Sequence, residues 1–217
     1  MIDIKIECVI FDMDGVIIDT ELLHRKAYFN TFKSLNINVT EELYSSFTGS
    51  STINTFEQIV THFKLSNNPA DLVLQKRAFY VDLFENDPDL HLIDSVLEII
   101  QYFHQKGILL VLASSSAKVN IDRVFKRFDL DKYFVAKISG ADLKASKPHP
   151  EIFEKAALLG KTAKENCIVI EDSDNGITAS NKAGIFAVGY ISKHSELQTL
   201  KGADLVISDF GEIKAWI

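Results

Sequence analysis

Apolar residues along this chain fall into two alternating patterns: short continuous runs, and longer stretches with three- and four-residue spacing. Cys8-Val9-Ile10-Phe11, Ile108 to Ala113, Cys167-Ile168-Val169-Ile170, Phe186-Ala187-Val188 and Leu205-Val206-Ile207 are runs without a polar position. Segments apolar on both faces predict parallel strands covered by helices on each side. Ser95 to Gln105, Lys118 to Phe128 and Glu151 to Leu159 carry helical spacing between them. Strand alternating with helix predicts an α/β protein built on a Rossmann-like parallel sheet.

One stretch breaks the alternation. From about Ile17 to Asp89 the pattern is helical throughout, over Leu22–Leu35, Leu43–Phe47, Ile53–Phe63 and Leu72–Phe84. Asn36 to Asn38, Ser66-Asn67-Asn68-Pro69 and Asn86-Asp87-Pro88-Asp89 supply the turns. A helical block this long exceeds a crossover connection and predicts an inserted all-helical cap domain. The expected division is a core of residues 1–15 and 90–217 and a cap of residues 16–89, each large enough to bury a core.

Composition narrows the function classes. The 217 residues are 47% hydrophobic and 24% charged, which excludes a disordered or collagen-like chain. The formal net charge of −7 opposes nucleic-acid binding, because a phosphate backbone repels an acidic surface. The longest apolar run, Ile108 to Ala113, is far too short to span a membrane. Asp3, Lys5 and Glu7 among apolar residues do not read as a secretion leader. Two cysteines cannot staple a secreted framework. A cytoplasmic monomer acting on a small molecule is expected.

The chemistry concentrates where strands end. Asp12 and Asp14 follow the first run and precede Gly15, at the edge where open α/β sheets bind ligands. Alone, such a segment is equally an acidic turn. Ser114 ends the second run, where its hydroxyl and the following amides could hold a phosphate oxygen or simply cap a helix. Lys147 stands in Ser146-Lys147-Pro148-His149-Pro150; two prolines around it suggest an aimed side chain rather than a solvated one. Glu171-Asp172-Ser173-Asp174 ends the third long run, where a helix N-cap is the plainer alternative. In a parallel sheet these ends converge. Crowded carboxylates repel one another unless a cation neutralises them, and hard oxygen ligands select Mg²⁺. Metal, lysine and hydroxyl together suit the charge of a transferring phosphoryl group, with an aspartate as its nucleophile.

Asp12-x-Asp14-Gly15, Ser114, Lys147 and Glu171-Asp172, in that order, resemble the four motifs of the haloacid dehalogenase superfamily, in its β-phosphoglucomutase-like branch with a helical cap. The likeness spans essentially the whole chain. It implies that Asp12 is the nucleophile and forms an aspartyl-phosphate. Asp14 would be the general acid and base. Mg²⁺ would be held by Asp12, the backbone carbonyl of Asp14 and Asp172, with Glu171 beside them. Ser114, Ser115 and Lys147 would bind the phosphoryl group, Thr20 would stand near the hinge, and the cap would close over the substrate.

The cap gives mixed signals about the reaction. His24 and Lys76 fall where the mutases of this branch carry substrate-side residues, although either could be a helix-surface group. At Gly49-Ser50-Ser51-Thr52 those mutases carry an arginine for a second phosphate, and Thr52 stands here instead. Without that guanidinium the grip on a bisphosphate weakens, and water becomes the expected acceptor. The expected function is a Mg²⁺-dependent phosphatase of a small phosphate monoester, a sugar phosphate, with β-phosphoglucomutase as the alternative. A metal-independent dehalogenase is opposed by Asp14 and the Glu171-Asp172 pair. A phosphoacceptor domain would need no cap, and a non-catalytic binding module would need no complete motif set. Cys8 and Cys167 read as buried small hydrophobes with no redox or zinc spacing. His62, His91, His104, His149 and His194 show no ligand spacing, the cap phenylalanines read as packing, and Trp216 reads as a packing anchor.

Overall fold

The computed structural model describes residues 5–47, 52–192 and 198–216, and the chain divides into two compact units. Asp3, Gly49-Ser50-Ser51, His194 and the side chain of Trp216 lie outside what is described. The first unit comprises Met1–Asp19 and His91–Ile217, and the second Thr20–Leu90.

The first unit is a six-stranded, wholly parallel sheet of β1 (Cys8–Phe11), β2 (Leu109–Ser114), β3 (Ala136–Ser139), β4 (Cys167–Glu171), β5 (Phe186–Tyr190) and β6 (Leu205–Ile207). Its order is β3-β2-β1-β4-β5-β6. The chain therefore starts in the middle and winds outward both ways, which makes the carboxyl end of β1 the switch point where such sheets bind ligands. Every residue of β1 and β4 is buried, as their unbroken apolar runs predict. Alternate side chains serve opposite faces. Cys8 and Ile10 pack with Ile152, Phe153 and Ala156 of α7 (Glu151–Leu159) and with Ala179 and Ala183 of α8 (Asp174–Ala183). On the other face Phe11 meets Phe103 of α5 (Val96–Gln105) at 6.3 Å, and Phe134 at 5.9 Å. Phe134 in turn meets Phe125 of α6 (Lys118–Arg127) at 5.0 Å.

Strand β3 carries no apolar run. Ala136 and Lys137 are only partly buried at this sheet edge, so a short, half-covered strand leaves little hydrophobic signal. Cys8 and Cys167 are a second difference: β1 and β4 are neighbours in space, and the two residues face each other in register across 159 positions of sequence. Both thiols are free and fully buried. Residues Val16 to Asp19 belong to this first unit rather than to the helical one. Val16, Ile17 and Ile18 are fully buried, the Met13 carbonyl accepts the amides of all three, and Ile93 N donates to Ile17 O at 3.0 Å. Apolar residues in a tight turn after a strand resemble a helix start in sequence, which is why the expected boundary fell too early.

The second unit packs α1 (Glu21–Ser34), α2 (Glu41–Ser45), α3 (Thr52–His62) and α4 (Pro69–Asn86) around Phe32, Phe56, Ile59 and Leu72. Thr40 and Asn68 accept backbone amides at the starts of α2 and α4, where Pro69 occupies the first turn of α4 at no hydrogen-bond cost. Lys26 pairs with the buried Asp87 at 2.5 Å. No helix of the described residues is long and apolar enough to cross a membrane.

Candidate active site

The sheet register sets the height of each group. Phe11 faces Leu112 on one side and Ile170 on the other, so Asp12, one residue on, stands level with Ala113 and Glu171. Its amide extends the ladder by donating to Ile170 O at 3.0 Å. Its carboxylate emerges at the strand end, yet the residue is only 6% exposed. Lys147 enters from the loop before α7, and its Nζ donates to Asp12 Oδ1 at 2.5 Å, Glu171 Oε1 at 2.6 Å and the Ala113 carbonyl at 3.1 Å. One ammonium thus ties together the ends of β1, β2 and β4.

Glu171 is the most enclosed of these acids. Its second oxygen accepts the amide of Ser173 at 3.0 Å and the Ser173 hydroxyl at 2.9 Å. Its carboxylate lies against Gly176 in the first turn of α8, where an added Cβ would come within 1.9 Å of it. The start of α8 and the Lys147 ammonium both set positive charge against this buried carboxyl group. Asp172 turns toward Gly15, whose φ of +83° suits glycine and whose missing Cβ leaves room: a Cβ there would lie 1.9 Å from Asp172 Oδ2. Ser192 donates to that oxygen at 3.4 Å.

Burial raises the Asp12 carboxyl well above its ordinary range, against the pull of Lys147 and with the push of Glu171 and Asp14. Burial, then the neighbouring Glu171, pushes Asp172 up to about 7. Burial alone would lower Lys147, yet the charges of Asp12 and Glu171 outweigh it and hold the ammonium above its usual value. Oxygens of Asp12, Glu171 and Asp172 lie within 4.8 Å of one another. An all-oxygen, closely spaced, charge-strained donor set, with a glycine in place of any side chain beside Asp172, fits a hard divalent cation.

Asp14 points elsewhere. Its Oδ2 accepts the Ser116 hydroxyl at 2.7 Å, beside the turn after β2. In that turn the fully buried Ser114 accepts the Ser116 amide at 3.0 Å, while Ser115 is exposed. The structure therefore gathers Asp12, Lys147, Glu171 and Asp172 tightly, with Asp14 and Ser114 joined through Ser116. His24 and Lys76 meet each other in the helical unit, Lys76 Nζ lying 2.7 Å from His24 Nδ1. Thr20 is buried ahead of α1. Ser116, Ser139, Ser173 and Ser192 support the site without having stood out in the sequence. Ser173, an N-cap next to two acids, was the one with a readable signal.

A doubly wound sheet whose carboxyl edge gathers buried acids around one lysine suits a phosphoryl-transfer enzyme. A family model for haloacid dehalogenase-like hydrolases matches residues 9–190, and the chain belongs to that family, in its β-phosphoglucomutase-like branch. It is 31% identical over 183 residues to a phosphorylated carbohydrates phosphatase of Thermotoga maritima, covering 82% of each chain. It is 29% identical over 212 residues to a beta-phosphoglucomutase of Bacillus subtilis, covering 95% of this chain and 91% of the other. A solved structure of a candidate beta-phosphoglucomutase from Thermotoga maritima superposes with a TM-score of 0.86 at 26% identity, over 98% of this chain and 100% of that one. These relatives make the chain an enzyme of the phosphatase and phosphomutase group.

Proposed function

We propose that this protein is a Mg²⁺-dependent phosphatase of a small phosphate monoester, of the sugar-phosphate class, working through an aspartyl-phosphate at Asp12. The observation that carries the reading is Lys147 bridging Asp12 and Glu171 at 2.5 and 2.6 Å beside Asp172. Asp12, Asp172 and the backbone carbonyl of Asp14 would hold the Mg²⁺, with Glu171 adjoining, and the bound ion would supply positive charge against the phosphoryl oxygens.

An Asp12 carboxylate oxygen attacks phosphorus, and the bond from phosphorus to the ester oxygen breaks. Asp14 gives its proton to the leaving alkoxide, so the alcohol departs neutral. Asp14, now ionised, takes a proton from water as that water attacks the phosphoryl group. The acyl–phosphate link breaks, inorganic phosphate leaves and both aspartates return to their starting state. Lys147 offsets the repulsion between carboxylate and phosphate, and Ser114 with the following amides holds a phosphoryl oxygen.

The relatives include a phosphatase of phosphorylated carbohydrates and a phosphomutase. Thr52, where the mutases of the branch carry an arginine nearby, favours water as acceptor; the rest of that loop, Gly49 to Ser51, lies outside the described residues. The mutase reading is supported by the likeness to a beta-phosphoglucomutase over 95% of this chain. Phosphate release from a panel of sugar phosphates with Mg²⁺ tests the proposal, with Asp12→Asn as the dead control. Undiminished turnover in that variant rules out the nucleophile. Conversion of β-glucose 1-phosphate to glucose 6-phosphate without net phosphate release establishes the mutase instead.

A further inference from the structure

Ser139 is the last residue of β3, at the far side of β2 from the nucleophile's strand, and pairs in register with Ser114. It is 6% exposed. Its hydroxyl does not serve its own strand; Oγ donates to the carbonyl of Ser116 at 2.9 Å. The Ser116 amide is fixed at the same time by Ser114 Oγ at 3.0 Å. Both backbone groups of Ser116 are thereby held by side chains, one from each of two adjacent strands. Its remaining polar group, the hydroxyl, is aimed at Asp14 Oδ2 at 2.7 Å.

Gly140, next after Ser139, brings the two strand exits together. A Cβ there would lie 3.2 Å from Ser115 Cα and 3.3 Å from the Ser114 carbonyl, tighter than ordinary packing. The Ser114–Ser116 turn is thus clamped from the β3 side by a hydrogen bond and a close backbone approach. A turn fixed in this way resists the small rotation that would swing Ser116 away from Asp14, and displacements of this size at a reacting group cost rate.

We infer that Ser139 and Ser116 are positioning residues for Asp14: Ser139 locks the turn after β2 so that the Ser116 hydroxyl orients the Asp14 carboxyl. The inference deepens the proposed function, since it assigns Asp14 the proton transfers described there. Neither serine touches phosphorus or its leaving group in this role. Their loss acts on kcat through Asp14, whereas loss of a phosphate ligand would also raise KM.

The test uses the full-length enzyme with Mg²⁺ and the sugar phosphate it turns over best. Ser116→Ala and Ser139→Ala each lower kcat by on the order of tenfold, the effect of one hydrogen bond to a charged or backbone group, with KM nearly unchanged. Because Ser139 works through Ser116, the double variant is no slower than Ser116→Ala alone. A crystal structure of Ser139→Ala shows Ser116 Oγ beyond hydrogen-bonding reach of Asp14. Wild-type kcat in Ser139→Ala, losses that multiply in the double variant, or a retained Ser116–Asp14 contact in that crystal structure would each overturn the inference. Failure of the proposed reaction reads out separately, as absence of Asp12-dependent phosphate release in the wild type. The crystallographic contact still decides the positioning in that case.

Discussion

Lys147 reaches Glu171 across 2.6 Å, and Glu171 is 1% exposed. The lysine lies within hydrogen-bonding distance of Asp12 as well, so two buried carboxylates share one ammonium. A shared partner of this kind holds geometry and charge together. Removing it leaves both acids buried without this counter-ion, which costs far more than the pair itself contributes.

Lys147→Met keeps most of the side-chain volume and deletes the charge. Phosphate release is expected to fall by roughly 10²- to 10³-fold, as when one transition-state donor is removed. The metal-free variant is also expected to be less stable by about 3 kcal/mol, read from urea unfolding midpoints. Added Mg²⁺ recovers part of that loss, because a cation takes over some of the missing neutralisation. A variant with unchanged stability in both conditions contradicts the charge assignment.

Three glycines separate strain from chemistry. Gly15 and Gly107 both have positive φ, +83° and +74°, but only at Gly15 does a Cβ meet a neighbour, Asp172 at 1.9 Å. Gly107 has nothing within 4 Å. Gly107→Ala is therefore expected to cost about 1 kcal/mol of stability from left-handed backbone alone, with kcat unchanged. Gly15→Ala displaces Asp172, weakens Mg²⁺ binding, read as a higher concentration for half-maximal activity, and lowers activity by roughly 10- to 100-fold. Gly176→Ala, whose Cβ would lie 1.9 Å from the Glu171 carboxyl carbon, pushes Glu171 off Lys147 and likewise loses activity. Equal activity in Gly15→Ala and Gly107→Ala would show that Asp172 needs no such space.

The residues legible in the sequence were those attached to strong periodic signals. Asp12, Ser114 and Glu171 each follow or end an unbroken apolar run, and a buried parallel strand leaves its carboxyl end only one place to go. Lys147 was legible through its prolines and its resemblance, not through periodicity. Ser139 was not legible, because β3 is a four-residue edge strand with a charged Lys137 inside it. The Cys8–Cys167 juxtaposition was hidden for a different reason: parallel pairing joins strands that are distant in sequence, and spacing rules see only the chain. The pairing of His24 with Lys76 likewise depends on α1 lying against α4, which helical spacing alone does not specify.

Metal dependence is expected to show in stability as well as rate. Chelation with EDTA abolishes phosphate release and Mg²⁺ restores it. At roughly a hundredfold excess over its dissociation constant, Mg²⁺ stabilises the folded chain by about 2.7 kcal/mol. For a protein of this size that raises the melting temperature by roughly 5–10 °C. Asp172→Ala removes a donor oxygen from the cluster and abolishes most of the shift, while calorimetry on the untreated variant confirms that it folds. An Asp172→Ala protein with the full Mg²⁺ shift places the ion elsewhere.

His24 gives the helical unit its own pH dependence. The ring stacks on Tyr80 with centroids 4.5 Å apart, and Nδ1 receives the Lys76 ammonium at 2.7 Å. Burial first, and then the positive charge of Lys76, depress the imidazole to about 4 from an ordinary 6.5. The neutral ring, accepting from the ammonium, is the native form. Above pH 6.5 the folded and unfolded chains both carry His24 neutral, and the group contributes no pH dependence. As pH falls from about 6.5 towards 4 the unfolded chain takes up a proton that the folded one refuses, so folding stability declines. Below 4 both are protonated and the slope ends. The full loss is up to about 3 kcal/mol. His24→Gln keeps an acceptor for Lys76 and removes the titration, so the wild-type minus variant difference in urea unfolding free energy isolates this group from other acids. That difference is expected to grow in favour of the variant between pH 6.5 and pH 4. A difference that stays flat across this interval means that the imidazole titrates normally in the folded protein.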